Sequence, residues 1–267
     1  MTRIVCQQLA PRVGEPEFNR MQATAAIAGA LKADAQVIVL PELATSGYMF
    51  DSVDELRAAA IPATHQLFET WSEMVRATDA VVVAGFAEVG ESGTLFNSAI
   101  VVDGSGVRAV YRKTHLWDRE KLFFAIGHEL PPVVETAVGR IGVLICYDLE
   151  FPELSRHLAI AGADLVTVPT NWPRMSKVAG GIRPEVVIAM AMARIHRVAL
   201  AACDRSGDER GQEWNHGTSI IDLTGDVVSS TEEVGGSAMA DLDLELSRDK
   251  NHTELAHALN DRRIDLY

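Results

Sequence analysis

Short apolar runs alternate along this chain with stretches in which apolar residues recur at helical spacing. Runs of four to eight apolar or β-branched residues, bounded by glycine, proline or polar residues, predict buried strands. The predicted strands cover residues 4–9, 35–41, 80–86, 94–102, 107–112, 143–145, 165–170, 198–203, 219–223 and 227–229. Turn residues at 103–106 and 224–225 predict two hairpins among them.

Four segments between these runs predict helices, at residues 15–32, 64–78, 151–161 and 182–196. In the first of them, Phe18, Met21, Ala25 and Ala28 are expected on one apolar face. Strands that alternate with helices, together with hairpins, predict an α/β fold with a mixed sheet layered by helices.

The chain has no linker, repeat or low-complexity segment, so we expect residues 1–267 to form a single domain. The last stretch, residues 247–267, is charged and weakly patterned. It is expected to be an arm or tail rather than part of the core.

The chain is acidic, with a formal net charge of −13 and a pI near 5.0. This charge argues against nucleic acid or an anionic membrane as a partner. No stretch has the length and apolarity of a membrane span, and the N-terminus runs into a strand pattern without a secretory signal. Three scattered cysteines predict neither a disulfide framework nor a zinc site, so a cytoplasmic location is expected.

Cys146 lies where an apolar run ends in a polar turn. The preceding residues 143–145 predict a buried strand, and Phe151, Pro152 and Glu153 predict the first turn of a helix. At such a strand-to-helix junction, backbone N–H groups converge on whatever the sulfur attacks, which suits a nucleophile. The alternative is a buried cysteine that only packs, the reading we adopt for Cys6 and Cys203.

Two further charged residues also follow predicted strands. Glu42 is either a solvated loop charge or a site base, because ligands of open α/β sheets bind outside the carboxyl ends of strands. Lys113 is either an exposed lysine or a site cation, and His115 is an alternative base. A thiol, a base and a cation are the parts of a nucleophilic site that cleaves amides.

Five segments together resemble the nitrilase superfamily of carbon–nitrogen hydrolases. Three carry the candidate residues: PELATSGY at 41–48, YRKTHL at 111–116 and GVLICYDLEFPE at 142–153. Two later ones are GADL at 162–165 leading into PTNW at 169–172, and HGTSIID at 216–222. The resemblance spans residues 3 to 245. It implies a four-layer α-β-β-α sandwich, and face-to-face homodimers that often build larger homo-oligomers.

The same resemblance implies a Glu-Lys-Cys triad of Glu42, Lys113 and Cys146. Lys113 and the backbone N–H of Tyr147 would form the oxyanion hole. Glu120 best matches a second glutamate of the family, with Glu129 as the fallback, because the usual Pro-Gly after it is Ile-Gly at 126–127. No metal or organic cofactor is expected, since the thiol does the covalent work.

Tyr48, Asn171, Trp172 and Glu150 are the candidate substrate-binding residues, and a subunit contact is the alternative role for Trp172. The pair at 147–148 is Tyr-Asp, which resembles the amidase branches more than the nitrilases. Many relatives that act on carboxylate-bearing amides have arginine near position 150, where this chain has an acid that would repel an anion. Helix-terminus stabilisation is the alternative role of that acid, and Arg174 could supply a cation instead.

The sequence therefore predicts an amidase that hydrolyses a small, aliphatic, neutral or cationic amide through a cysteine acyl-enzyme. The expected partners are the amide, water and further copies of the chain. An N-carbamoyl-amide hydrolase or a nitrilase is the alternative enzyme, and a catalytically silent binding or scaffold protein of the same fold is the alternative from another class.

Overall fold

The structure, a computed structural model, describes residues 1–174 and 181–266. Within these residues, two six-stranded β-sheets lie face to face and α-helices cover the outer side of each. The predicted α-β-β-α sandwich is therefore confirmed. Among the described residues, no helix is both long enough and apolar enough to cross a membrane.

The first sheet combines parallel strands at its centre with antiparallel strands at its edges. Its order is β14-β1-β2-β3-β4-β5, formed by β1 (Thr2–Gln7), β2 (Val37–Val39), β3 (Val81–Val89), β4 (Leu95–Asp103), β5 (Gly106–Arg112) and β14 (Ser237–Leu242).

The second sheet has the same plan, with the parallel strands β7, β8 and β9 at its centre. Its order is β13-β12-β9-β8-β7-β6, formed by β6 (Val133–Thr136), β7 (Gly139–Val143), β8 (Leu165–Pro169), β9 (Ala199–Cys203), β12 (Thr218–Ile221) and β13 (Val227–Thr231). Two small hairpins lie outside the sheets: β10 (Asp208–Glu209) with β11 (Gln212–Glu213), and β15 (Asn251–Thr253) with β16 (Ala256–His257).

Side chains of β1 show how the layers are built. Ile4 and Cys6 belong to the cluster that joins the two sheets, whereas Val5 belongs to the cluster under the helices of the first sheet. Because the central strands are covered on both faces, they are apolar at consecutive positions rather than at every second one. Cys203 on β9 also lies in the inter-sheet core, so both it and Cys6 pack as predicted.

Five α-helices lie in the described part of the chain: α1 (Pro16–Lys32), α2 (Val53–Ala59), α3 (Gln66–Val75), α4 (Pro152–Ile160) and α5 (Pro184–His196). The four predicted helices are confirmed. The predicted apolar face of α1 was wrong, because its buried residues are Asn19, Ala23, Ile27 and Ala30, while Met21 is 64% exposed. In a helix this rich in alanine the apolar stripe is weakly marked, and Ile27 decides which side faces the sheet.

The C-terminal stretch beyond β14 packs against the second sheet's helices. Arg156 on α4 donates to the backbone oxygen of Ala258, and Lys250 donates to the backbone oxygen of Arg197 directly after α5. Much of the stretch is exposed, including Leu255 at 91%. The expectation of an arm at residues 247–267 stays a prediction.

Candidate active site

Three sequence-predicted residues lie just beyond strand ends. Glu42 follows β2, Lys113 directly follows β5, and Cys146 follows β7 of the opposite sheet. Because the sheets face each other, residues at these strand ends converge on one region between the layers.

The ammonium of Lys113 lies between two carboxylates. Its Nζ donates to Oε1 of Glu42 at 2.6 Å and to Oε1 of Glu120 at 2.8 Å. The side chains of Lys113 and Glu42 are fully buried, and that of Glu120 is 2% exposed. The alternatives of an exposed lysine at 113 and of a solvated glutamate at 42 were therefore wrong, and Glu120 is buried beside them.

Two asparagines fix Glu42 from opposite sheets. Nδ2 of Asn97 on β4 donates to Oε1 of Glu42 at 2.7 Å, and Nδ2 of Asn171, beyond β8, donates to its backbone oxygen at 2.9 Å. With Lys113 also on Oε1, the other carboxylate oxygen, Oε2, is buried and has no hydrogen-bond partner among the described residues. Sequence reasoning missed Asn97, although a buried amide in an otherwise apolar strand was a usable signal.

Gly85 on β3 lets the backbone at Glu42 come close. A Cβ at position 85 would lie 2.4 Å from Cα of Glu42 and 2.5 Å from the nitrogen of Leu43. These contacts are with backbone atoms, which cannot rotate away as a flexible side chain would. The position of the candidate base thus depends on a glycine in the neighbouring strand.

Cys146 begins a short 3-10 helix, Cys146–Glu150, that separates β7 from α4. Its φ is +46°, in the left-handed region that non-glycine residues adopt rarely. The sequence predicted a polar turn between the strand and the helix, and the structure gives that turn a 3-10 conformation. The turn presents the thiol at a site where only 5% of the residue is exposed.

Asp148, inside that turn, ties Cys146 to the segment around Lys113. Its buried carboxylate accepts hydrogen bonds from the hydroxyls of Tyr111 and Thr114 at 3.0 Å each, and from the backbone N–H of His115 at 3.0 Å. It also accepts from the backbone N–H of Ile145 at 3.3 Å. Four donors from two segments make this carboxylate a structural anchor.

The buried charges set the protonation states of the site. Burial raises the pKa of Glu42 to about 7, against the attraction of Lys113. Burial and the nearby charge of Glu42 raise the pKa of the Cys146 thiol well above its usual range. Burial alone would lower the pKa of Lys113, but the charges of Glu120 and Glu42 outweigh it and raise that pKa. Before substrate binds, the thiol is neutral and the lysine is charged.

A narrow cleft of about 30 Å³ reaches the thiol. Trp172 and Glu150, both predicted substrate-binding residues, line it. Its remaining lining residues are Trp117, Tyr147, Pro173 and Glu185. Burial and the nearby charge of Glu185 raise the pKa of Glu150, and burial raises the pKa of Glu185. Two carboxylates therefore share the wall of this cleft.

A second cavity of about 90 Å³ adjoins the cleft and shares Trp117 and Pro173 with it. Tyr48 and Glu120 line this cavity, together with aromatic side chains that include Phe123. The hydroxyl of Tyr48 donates to Oε1 of Glu120 at 2.6 Å. Tyr48 thus lies at the site, and its predicted contact with substrate stays a prediction, as does that of Asn171.

Two alternatives of the sequence interpretation lie elsewhere. Glu129 lines a different cavity beside Arg112, so the fallback for Glu120 is not needed. The ring of His115 stacks on Phe151, and its Nδ1 lies 3.0 Å from the Asp148 carboxylate. These contacts give His115 a structural role rather than that of a base in the cleft. In residues 1–174 and 181–266, no three His, Cys, Asp or Glu side chains are grouped to hold a metal ion.

Comparison with known proteins agrees with the resemblance seen in the motifs. The family model described as carbon–nitrogen hydrolase matches residues 3–251. The chain is 34% identical to a nitrilase of Pyrococcus abyssi over 273 residues, which cover all of this chain and 99% of that relative. It is 39% identical to an (R)-stereoselective amidase of Pseudomonas sp. over 166 residues, which cover 62% of this chain and 59% of the relative.

Among solved structures, the chain is similar to a mutant of the amidase from Nesterenkonia sp. AN1. The two share 25% identity with a TM-score of 0.80, over 100% of this chain and 98% of the other. That structure shows the result of Michael addition of acrylamide at the active-site cysteine of the amidase.

Proposed function

The chain belongs to the carbon–nitrogen hydrolase family, and on that premise we propose that it is an amidase using Cys146 as nucleophile, Glu42 as base and Lys113 as oxyanion cation. As a family member it is an amidase- or nitrilase-like hydrolase that acts on carbon–nitrogen bonds other than peptide bonds. The proposal specifies the reacting groups and the class of substrate.

One observation carries the proposal. Oε1 of Glu42 is occupied by Lys113 and Asn97, whereas the buried Oε2 has no partner among the described residues. A buried carboxylate oxygen without a hydrogen-bond donor lowers the free energy of unfolding. Its presence in a folded protein therefore calls for an explanation such as a catalytic role. Burial and, after it, the charge of Glu42 raise the pKa of the Cys146 thiol. We assign Oε2 as the atom that accepts the thiol proton.

In the first half of the reaction, Glu42 takes the proton of Cys146 as the sulfur attacks the amide carbon. The carbonyl oxygen becomes an oxyanion, stabilised by the Lys113 ammonium and the backbone N–H of Tyr147. When the C–N bond breaks, Glu42 returns its proton to the leaving nitrogen. Ammonia departs and a thioester between Cys146 and the acyl group remains.

In the second half, water replaces ammonia. Glu42 accepts a proton from water, whose oxygen attacks the thioester carbon. The sulfur leaves and recovers a proton from Glu42, so the carboxylic acid is released and the enzyme returns to its starting state. Glu120, fixed beside Lys113 at 2.8 Å, orients the ammonium and the substrate nitrogen.

The cleft supports a small substrate that is neutral or cationic. Its small size suits a short, aliphatic acyl group, and Glu150 and Glu185 in its wall repel a carboxylate. Burial and the charge of Glu185 raise the pKa of Glu150, and an ammonium between the two acids would stabilise their charged forms. Amides that bear a basic amine therefore fit the cleft better than amides that bear an acid.

The test is ammonia release from a panel of small amides at equal concentration. We expect turnover of propionamide and of β-alaninamide, which carries an ammonium, and weak turnover of succinamate and glutaramate. A clear preference for the two anionic amides would contradict the charge proposal. No ammonia from any amide would contradict the amidase proposal itself.

A nitrilase is the second candidate, because the relative from Pyrococcus abyssi carries that name. An N-carbamoyl-amide hydrolase remains the third, and it would release carbon dioxide together with ammonia. Adding propionitrile and a carbamoyl amine to the panel distinguishes the three. The Tyr147-Asp148 pair after the nucleophile favours the amide.

A further inference from the structure

We propose that Glu209 is a positioning residue of the active site, fixing the backbone at Tyr48 so that the Tyr48 hydroxyl holds Glu120 against Lys113. The inference rests on the proposed function for the roles of Glu120 and Lys113. It concerns a residue 161 positions from Tyr48 in the sequence, on the small hairpin outside both sheets.

Glu209 is 6% exposed, and its carboxylate is fully engaged. Oε1 accepts the backbone N–H of Val13 at 2.8 Å. Oε2 accepts the backbone N–H groups of Tyr48 and Met49, each at 2.9 Å. The buried carboxylate thus supplies hydrogen-bond partners for three backbone N–H groups, as a helix or strand would do elsewhere. The loop conformation at positions 48 and 49 therefore depends on one distant side chain.

The carboxylate is itself held by a buried cation. Nη1 of Arg205, a residue with no exposed surface, donates to Oε2 of Glu209 at 2.9 Å, and Nη2 donates to the backbone oxygen of Pro11 at 2.7 Å. The guanidinium also lies 4.5 Å from the ring centroid of Trp214. The backbone at Gly47 also packs closely against Glu209, because a Cβ at Gly47 would lie 2.7 Å from Oε1 of Glu209.

Tyr48 carries this constraint into the active site. Its ring packs edge-on against Trp214 at 5.2 Å, and its hydroxyl donates to Oε1 of Glu120 at 2.6 Å. The same Oε1 accepts the Lys113 ammonium. Burial and the charge of Glu120 raise the pKa of Tyr48, which keeps the hydroxyl protonated and able to donate. Movement of the loop would release Glu120 from one of its two donors on this oxygen.

Releasing Glu120 has a predictable electrostatic effect on the base. The charge of Glu120 raises the pKa of Glu42, and the charge of Lys113 lowers it. If Glu120 withdraws, its repulsion weakens and Lys113 is left to pair with Glu42 alone. Both changes lower the pKa of Glu42, so the activity loss on acidification should begin at a lower pH than in the wild-type enzyme.

The first experiment compares Glu209→Gln with Glu213→Gln. Glu213 lies on the same hairpin, and its side chain is 68% exposed and pairs with Arg174, so it is the matched control. For Glu209→Gln we expect kcat to fall roughly 10- to 100-fold, because small misplacements of catalytic groups are costly. KM should change less than about threefold, since no substrate contact is removed. Glu213→Gln should behave as wild type.

The second experiment leaves the buried ion pair between Arg205 and Glu209 unchanged. Tyr48→Phe keeps the ring and removes only the donor to Glu120, so it should reproduce the lower kcat of Glu209→Gln. The double variant should be about as slow as the slower single variant, because both changes break one path. Multiplied effects, or a rise in KM with unchanged kcat in Tyr48→Phe, would overturn the proposal. Should Glu209→Gln fail to fold, a wild-type kcat in Tyr48→Phe would still overturn the proposal.

A substrate-independent measurement separates this proposal from the proposed function. The rate at which iodoacetamide alkylates Cys146 is followed against pH in each variant, since thiolate formation needs Glu42 as base. The midpoint should move to lower pH in Glu209→Gln and Tyr48→Phe but not in Glu213→Gln. Unchanged midpoints in both variants would overturn the positioning role. A wild-type enzyme that cleaves no amide would contradict the function and leave this readout in force.

Discussion

The Nζ atom of Lys113 lies 2.6 Å from Oε1 of Glu42, and neither side chain has any exposed surface. A buried lysine is stable only where opposite charges surround it, and here Glu120 supplies the second one. Such a cluster places a permanent positive charge next to a carboxyl group whose pKa is about 7. The predictions below test what this cluster and its surroundings do.

Lys113→Met should reduce both activity and stability. Loss of the ammonium removes an oxyanion donor, which typically costs roughly 100- to 1000-fold in kcat. It also leaves two buried carboxylates unpaired, at a cost of about 3–5 kcal/mol in the free energy of unfolding. Amide hydrolysis and urea unfolding measure the two effects. The exposed Lys121 provides the control Lys121→Met, and equal behaviour of both variants would refute the role of Lys113.

Cys146→Ala should abolish ammonia release and leave the fold intact, because the thiol forms the covalent intermediate. The control is Cys203→Ala, which removes a buried sulfur from β9 and should lower the thermal midpoint while keeping turnover. Mass spectrometry after brief iodoacetamide treatment should find the label on Cys146 alone. Near-normal hydrolysis by Cys146→Ala would remove the proposed mechanism.

The pH dependence of kcat/KM should follow Glu42. Its pKa is raised to about 7, and only the deprotonated carboxylate can accept the thiol proton. Activity should therefore rise with pH through about 7 and fall roughly tenfold per unit below it. The apparent value belongs to the coupled cluster rather than to one group. A value of kcat/KM that does not change between about pH 5 and about pH 8 would contradict Glu42 as the base.

Gly85→Ala should damage the site without touching any charged group. The new Cβ would lie 2.4 Å from Cα of Glu42, so the backbone of the base has to move. We expect kcat to fall by roughly 100-fold, the loss typical of a 1 Å misplacement. Gly29→Ala is the control, since nothing lies within 4 Å of its Cβ in α1 and alanine stabilises a helix by about 1 kcal/mol. Full activity in Gly85→Ala would show that this close approach is unimportant.

Glu150→Gln and Glu185→Gln should each make anionic amides better substrates. Removing one of two carboxylates from the cleft wall reduces repulsion, and we expect kcat/KM for succinamate to rise relative to β-alaninamide by roughly tenfold per charge. Glu153, on the exposed first turn of α4 and outside the cleft lining, provides the control Glu153→Gln. An unchanged ratio in both cleft variants would mean that these acids do not select the substrate.

The sequence revealed those parts of the fold and site that follow from local pattern. The apolar runs that became β2, β8 and β9 are covered on both faces, so their composition alone marked them as buried strands. Strand ends in turn located Glu42, Lys113 and Cys146. That Lys113 would be completely buried did not follow from its surroundings in the sequence, because its two partners are 71 and 7 residues away.

What the sequence did not reveal depends on distant partners. The strands β6 and β14 were missed because each lies at the edge of a sheet and has few buried positions. Pairing with β7 and β1, respectively, stabilises them. Glu209 gave no signal, since its partners in the Tyr48 loop are about 160 residues away. Only the three-dimensional contacts single it out.

The left-handed backbone at Cys146 has an implication for directed evolution of this protein. A non-glycine residue in that region costs roughly 1–2 kcal/mol relative to glycine. Cys146→Gly relaxes the main chain, but it removes a buried side chain from the inter-sheet core and deletes the nucleophile. Selection for thermostability has to be paired with selection for turnover, because glycine, the residue that relieves the backbone strain at this position, carries no nucleophile.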